Sequence, residues 1–562
     1  MASSPAGAWS KTTRLFPGVK YTKHVRWTHG GPLVLHVVVG PKPGGLYDLK
    51  PLLSENRITG RQTVTGMQRG LLRRANLVGV NGDFFSWHTG HTSGMLLRRG
   101  VLDAGPHVAR SSLAVGADGS LRVGRIGFSG TWRAEGEPAR TVRQLNRPLP
   151  RRAGYALFTP TWGRRTPHGS YAAEAILSDV RRTVPNRERT AKVVRVVQGS
   201  GHVIPAGGAV LQARGLWRKK LRREAVRGAP ISIALGLDPW WGDVESALGG
   251  GPLLVRQGRP VYRADEAFTS DQLLGRHPRT AAGQTADGRI LLVAVDGRST
   301  ASWGLTIGQL ARQMVRLGAV EAMALDGGGS TTLAFNATVL NDPSDGFERA
   351  VADSLQIVYY GVYTPRPWHR SFSPNGDGVR DRQRLAAKIV RPSKVRLRLV
   401  RPSGRVGWLY RGTLARGTFV KTLSRRSLAN GRWTWLAEAT DDAGRTSRMR
   451  RTFVVNKTLG FLDLSSRLMR IWRKHGGRVV ISFRLAKSAA TSVTIRRPGG
   501  GVVRNLVGRR RLDRGRYAVV WDGRNGAGRF VRSGRFVVRV RAANAIGRTS
   551  LQQSVRVKRM TR

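Results

Sequence analysis

The chain has 562 residues, 40% of them hydrophobic, with a formal net charge of +64. It is too long for one core and too apolar for a disordered chain, so two to four domains are expected. Cysteine is absent, which excludes disulfides and thiolate metal sites, and no apolar run reaches the roughly 18 residues a transmembrane helix needs.

In chain order, residues 1–18 are rich in Ala, Ser and Gly and read as a flexible leader. They contain no apolar signal core. Pro32 to Gly40 comes nearest to one, but His36 and the spacing suit a strand. Val80-Asn81-Gly82-Asp83-Phe84-Phe85 reads as a turn entering a cleft, with Asn81 and Asp83 as candidate ligand contacts. His88-Thr89-Gly90-His91 is a polar loop or a metal pair, and its glycine argues against the helix that usually presents such pairs. Residues 120–225 carry short β-like runs such as Lys192 to Val197, and Trp240-Trp241 is a core pair or a sugar-stacking face.

Ile290 to Val295 has the length and branching of a buried strand and ends at Asp296-Gly297. Thr306 and Gln309 have capping-box spacing, Ile307, Leu310, Ala311, Met314 and Leu317 recur on one face, and Gly318 is a stop. A second buried strand, Ala322 to Leu325, then runs into Asp326-Gly327-Gly328-Gly329-Ser330-Thr331. Strand, helix and strand predict a parallel βαβ unit with Asp296 and Asp326 at one sheet edge, where both carboxylates could face one ligand. The glycine run lets main-chain N–H groups approach an anion closely; a turn kept for geometry alone is the plainer reading.

Taken in order, Val80 to Phe85, Gly249-Gly250-Gly251-Pro252-Leu253-Leu254, Arg276-His277-Pro278-Arg279-Thr280, Val295-Asp296-Gly297, Leu325 to Ser330 and Glu348-Arg349-Ala350-Val351 resemble the phosphodiester glycosidase family. The resemblance spans roughly residues 20–365. One departure stands out: Asp83 occupies a position where the family usually has glycine. The resemblance implies a hydrolase of the glycosidic bond in sugar-1-phosphodiesters of bacterial surface or exopolysaccharide glycans. It also implies export to the cell exterior or wall, with no cofactor required.

Such a reaction needs a phosphate grip, stabilisation of an oxocarbenium-like sugar, and a carboxylate to activate water or attack. Arg279 offers a guanidinium fork for phosphate, and the backbone of Gly327, Gly328, Gly329 and Ser330 could share that charge. Asp326 and Asp296 are candidates for base or nucleophile, Arg349 for a carboxylate or phosphate partner, and Asn81, Asp83, Thr280 and Thr331 for substrate contacts. A protein that only binds anionic glycan or wall polymer is the competing class.

Pro365-Arg366-Pro367 marks a linker, 365–370. Ser373-Pro374-Asn375-Gly376-Asp377-Gly378-Val379-Arg380-Asp381 then matches the start of a calcium loop with Asn375, Asp377 and Asp381 as ligands. Ser373 at the first position and Arg384 at the twelfth depart from that pattern, and a hydrogen-bonded Asx-rich turn is the alternative. Gly431 to Trp435 followed by Asp441 to Arg445 parallels Gly515 to Val519 followed by Ala542 to Arg548. Val520 to Arg529 and Ser533 to Val540 resemble the immunoglobulin-like module of flagellar hook-capping proteins. The expected fold is an α+β mixed catalytic domain, 19–364, containing a βαβ unit, followed by two all-β immunoglobulin-like sandwiches, 371–456 and 457–562.

Residues 371–562 hold 47 Lys and Arg against 8 Asp and Glu, so the positive charge is concentrated there. Such a surface suits anionic surface polymers; arginine filling solvated strand faces is the plainer account. No helix-turn-helix, zinc module or aromatic platform marks a nucleic-acid reader.

Overall fold

The computed structural model describes residues 8–560 except 29, 108, 150–153, 181, 263–264 and 473–475. The chain divides into two compact units, Met1–Tyr360 and Gly361–Arg562. Strand takes 54% of the protein and helix 7%, so the first unit is mostly β and the expected α+β fold is corrected.

The βαβ expectation fails for a tertiary reason. Ile290–Val295, the helix Ile307–Arg316 and Ala319–Leu325 form where periodicity put them, and Thr306 and Gln309 close a capping box. Arg279–Thr285, however, is itself a strand and pairs antiparallel with both neighbours, Thr280 opposite Ala294 on one side and Leu325 on the other. An earlier segment thus occupies the slot between the two strands. The hydrophobic pattern of the crossover carries no trace of that insertion, because each strand is buried on both faces whatever its neighbour.

These strands belong to an eight-stranded sheet that begins with Trp9–Phe16, Val19–Thr28 and Gly31–Gly40. The stretch read as a leader therefore contributes an edge strand from Trp9, while residues 1–7 lie outside the described residues. Within the 120–225 region and beyond it, seven strands from Gly127–Ala134 to Pro230–Asp238 close into a barrel. Its inward positions alternate along each strand, and Trp132 meets Tyr155 edge-on at 5.2 Å inside the core. Trp241 packs against that core, and Trp240 is more exposed.

A five-stranded sheet containing Asn76–Asn81 and Asp353–Tyr359 completes the ground for the site, Ser354 pairing with Asn81. Asn81, Asp353, Leu325 and Gly249 all stand at strand ends, and their loops meet at one place.

The second unit has two separate cores. One unites a five-stranded and a two-stranded sheet around Trp435, Leu397 and Phe453; the other unites a three-stranded and a five-stranded sheet around Trp521, Ile481 and Val538. Burial alternates along Ser393–Val400, so Arg396 and Arg398 face outward between the core residues Val395, Leu397 and Leu399.

Candidate active site

The site is assembled around one peptide. Gly82 N–H donates to the Asp353 carbonyl, and the Gly82 carbonyl accepts from Asp326 N–H, each at 3.0 Å. A side chain at residue 82 would place its Cβ 2.0 Å from Asp353 Oδ1, so only glycine fits between the two acids. Asn81 braces the same junction. Its Nδ2 donates to the Asp326 carbonyl at 2.7 Å, while its Oδ1 accepts from Thr332 N–H at 3.0 Å and Thr280 Oγ1 at 2.8 Å.

Asp326 opens into a cavity of about 190 Å³. One wall is apolar, with Phe84, Phe268, Pro252 and Leu273; the other carries Arg279, Arg298, His277 and Arg349 beside Gly327, Gly328 and Gly329. Ser330 and the Gly327 backbone lie beside the Asp326 carboxyl and favour its charge. The N–H groups of Gly328, Ser330 and Thr331 are spent inside the loop, on Pro278, Gly327 and Gly328 carbonyls. Gly329 N–H makes no hydrogen bond among the described residues.

Burial pushes the Asp326 carboxyl up to about 7, the Asp83 charge adds to the rise, and Ser330 and Arg349 oppose it. Asp353, behind it, is pushed up to about 8 by burial and then by Asp83. Asp83 is raised by burial against three donors, Phe84 N–H, Gly94 N–H and Thr92 Oγ1.

The cations differ in availability. Arg279 Nε and Nη2 donate to the Leu305 and Gly275 carbonyls, both at 2.7 Å, and burial lowers its guanidinium to about 10. Arg298 sits at φ 58° and brings its guanidinium beside Gly328. Its Nη2 donates to His277 Nδ1 at 3.1 Å; an arginine can only donate, so His277 carries its proton on Nε2, which gives it to Asp271 at 3.1 Å. Arg349 is held by Asp345, lies 4.7 Å over the Trp87 ring, and reaches Ser330 Oγ at 3.4 Å.

Of the residues expected from sequence, Asp326, Arg279, Gly327, Gly328, Gly329 and Arg349 line the cavity. Asn81, Thr280, Ser330 and Thr331 are buried beside it as braces, and Asp83 is buried behind it. Asp296 goes elsewhere. Its Oδ2 meets His36 Nε2 at 2.8 Å, its Oδ1 accepts from Asp342 N–H at 3.0 Å, and His36 Nδ1 meets Tyr21 Oη at 2.8 Å, a closed buried chain away from the cavity lining. The inserted strand Arg279–Thr285 separates the two carboxylates' strands.

Sequence reasoning missed Arg298, Phe268 and Asp353. Asp353 had a signal, as an acid between the apolar Ala350-Val351-Ala352 and the alternating strand Ser354 to Val358; Arg298 and Phe268 had none. His91 Nδ1 meets its neighbour Thr89, and burial followed by Arg147 lowers the ring to about 4.

In the second unit, Asp381 accepts from Gly376 and Gly378 N–H at 2.8 and 2.7 Å. Asp377 accepts from Val379 and Phe461 N–H, both at 2.9 Å, and Asn375 Oδ1 from Asp377 N–H at 3.2 Å. Among the described residues no group of three or more His, Asp or Glu is placed to hold a metal.

A carboxyl with a raised pKa faces guanidinium groups across a half-apolar cavity at the ends of strands in a mostly β protein, the kind of cleft in which small-molecule sites are built. Residues 184–358 match the family described as phosphodiester glycosidase. An uncharacterized SPbeta prophage-derived protein, YomE, of Bacillus subtilis (strain 168) is 41% identical over 106 residues, 19% of this chain and 16% of its own. The N-acetylglucosamine-1-phosphodiester alpha-N-acetylglucosaminidase of Mus musculus is 39% identical over 158 residues, 26% of this chain and 30% of its own. The chain thus spans less than a third of the length of these curated relatives. The fold resembles the crystal structure of a hypothetical protein from Synechocystis, 24% identical, with a TM-score of 0.54 over 62% of this chain and 64% of that one.

Proposed function

We propose that the first unit hydrolyses the glycosidic bond of sugar-1-phosphodiesters. The observation that carries this reading is Asp326, raised to about 7 on the floor of a cavity rimmed by Arg298 and Arg349. The family match over 184–358 supports it. In this reading Arg298, Arg349 and Gly329 N–H hold the phosphate, and the sugar packs against Phe84 and Phe268. The C1–O bond breaks with its electrons going to the phosphate oxygen. Water adds at C1, and its proton passes to ionised Asp326, giving free sugar and a phosphate monoester; direct attack by Asp326, followed by hydrolysis, gives the same products. A departing phosphate monoester is a weak base, so no second acid is required, and the chemistry calls on no cofactor.

The substrate in this reading is a bacterial surface glycan, and the protein works outside the cell or at its wall. What supports this is the basic character of residues 371–562, suited to anionic polymers, together with their two β cores, which serve as immunoglobulin-like presenting modules. The test is mass spectrometry of products from a panel of sugar-1-phosphodiesters. Free sugar supports the reading, sugar phosphate points to cleavage on the phosphate side, and binding without turnover points to a glycan-binding protein.

A further inference from the structure

Three acids converge behind and within the cavity, and the hydrolysis uses one of them. Asp83 N–H donates to Asp353 Oδ1 at 2.8 Å, and the Gly82 peptide joins both acids to Asp326. The two hidden carboxyls have unlike surroundings. Asp83 Oδ1 accepts from Phe84 N–H and its Oδ2 from Thr92 Oγ1 and Gly94 N–H, in a pocket so close that a Cβ on Gly94 or Gly249 would lie 2.8 or 2.5 Å from Oδ2. Asp353 Oδ2 is buried with no hydrogen-bond partner within bonding geometry, and the Thr92 hydroxyl, which donates to Asp83, favours its charge only from nearby.

Donors stabilise an ionised carboxylate, and a buried oxygen without them is where a charge is costliest. The cations around the cluster follow the same division. Arg110 acts on Asp83, as does Arg147, whose Nη2 donates to the Ser93 carbonyl, while Arg349 acts on Asp326. None of these exerts its field chiefly on Asp353.

We propose that Asp83 and Asp353 are a positioning pair that holds one charge and one proton behind Asp326, the charge on Asp83 and the proton on Asp353. This rests on Asp326 being the reacting carboxyl. Asp83 then sets the charge state of Asp326 by repulsion across the Gly82 peptide, delaying its ionisation to neutral pH. Asp353 supplies a neutral, hydrogen-bond-accepting carboxyl that could not be ionised there without a second adjacent charge.

Two readouts test the pair on the full chain, one of them independent of activity. A proton bound in the folded state and absent from the unfolded one lowers the folding constant about tenfold per pH unit between the two pKa values. The wild-type midpoint of thermal unfolding is therefore expected to fall between about pH 5 and about pH 8 through Asp326 and Asp353 together, and Asp353→Asn to lessen that fall by the Asp353 share, most clearly above pH 7. Equal pH dependence in both proteins overturns the pair even if the enzyme turns over.

The second readout is the pH–rate profile on whichever sugar-1-phosphodiester is cleaved. Asp83→Asn, or Asp83→Gly if the amide disturbs folding, is expected to move the midpoint down by about one unit, while Asp353→Asn leaves it in place. A midpoint moved by Asp353→Asn and not by either Asp83 variant reverses the assignment. Absence of any turnover with the stability result intact removes the hydrolase reading and leaves the proton pair standing.

Discussion

Asp326 is distinguished from the other carboxylates by what surrounds it: burial and the Asp83 charge raise it to about 7, where most exposed aspartates are long since ionised. As base or nucleophile it must be ionised, so turnover is expected to rise with pH through about 7 and to be lost progressively below it. A rate that falls through that range instead assigns Asp326 the role of acid. Asp326→Asn is expected to reduce turnover by about a thousandfold or more, with the thermal midpoint unchanged or raised because a costly buried acid has gone. At this scale Asp326 and the glycines stood out in the sequence because a carboxylate beside three glycines packs nothing, and they line the cavity. Asp296 has the same local signature of strand, acid and glycine, yet its carboxylate is taken up by His36 and the Asp342 backbone. Only the folded neighbours distinguish the two.

At the scale of elements, the site depends on close backbone approach at two glycines. A Cβ at residue 329 would lie 1.9 Å from Arg349 Nη2, and one at residue 82 would lie 2.0 Å from Asp353 Oδ1. Gly82→Ala has no flexible arm to push aside and is expected to cost about 2–3 kcal/mol in denaturant unfolding. Gly329→Ala displaces a long side chain and is expected to spare stability while weakening substrate binding. The helix and its capping box were legible because Thr306, Gln309 and the apolar face are local signals. Sheet order was not, since the strand inserted between Ile290–Val295 and Ala319–Leu325 announces itself only through pairing. In the Ser373–Asp381 turn the carboxylates already accept backbone N–H groups. Chelation with EDTA is expected to leave thermal unfolding unchanged, and a clear loss of stability would restore calcium there.

Across the whole molecule, the larger share of the positive charge lies in the second unit, with 47 basic against 8 acidic residues in 371–562. If that surface engages polyanions, retention of the full chain on immobilised polyphosphate should weaken steeply as salt rises from about 0.1 M to about 1 M, where screening shortens from about 10 Å to about 3 Å. Retention that ignores salt would assign the arginines to solvated strand faces. The seven-stranded barrel was visible in the sequence only as scattered β-like runs, because closure is decided by long-range pairing. The most direct test of the hydrolase reading is to identify the products that the wild-type chain and Asp326→Asn release from a sugar-1-phosphodiester. The account predicts free sugar and phosphate monoester from the wild type and neither from the variant; sugar phosphate as the product, or equal turnover by the variant, contradicts it.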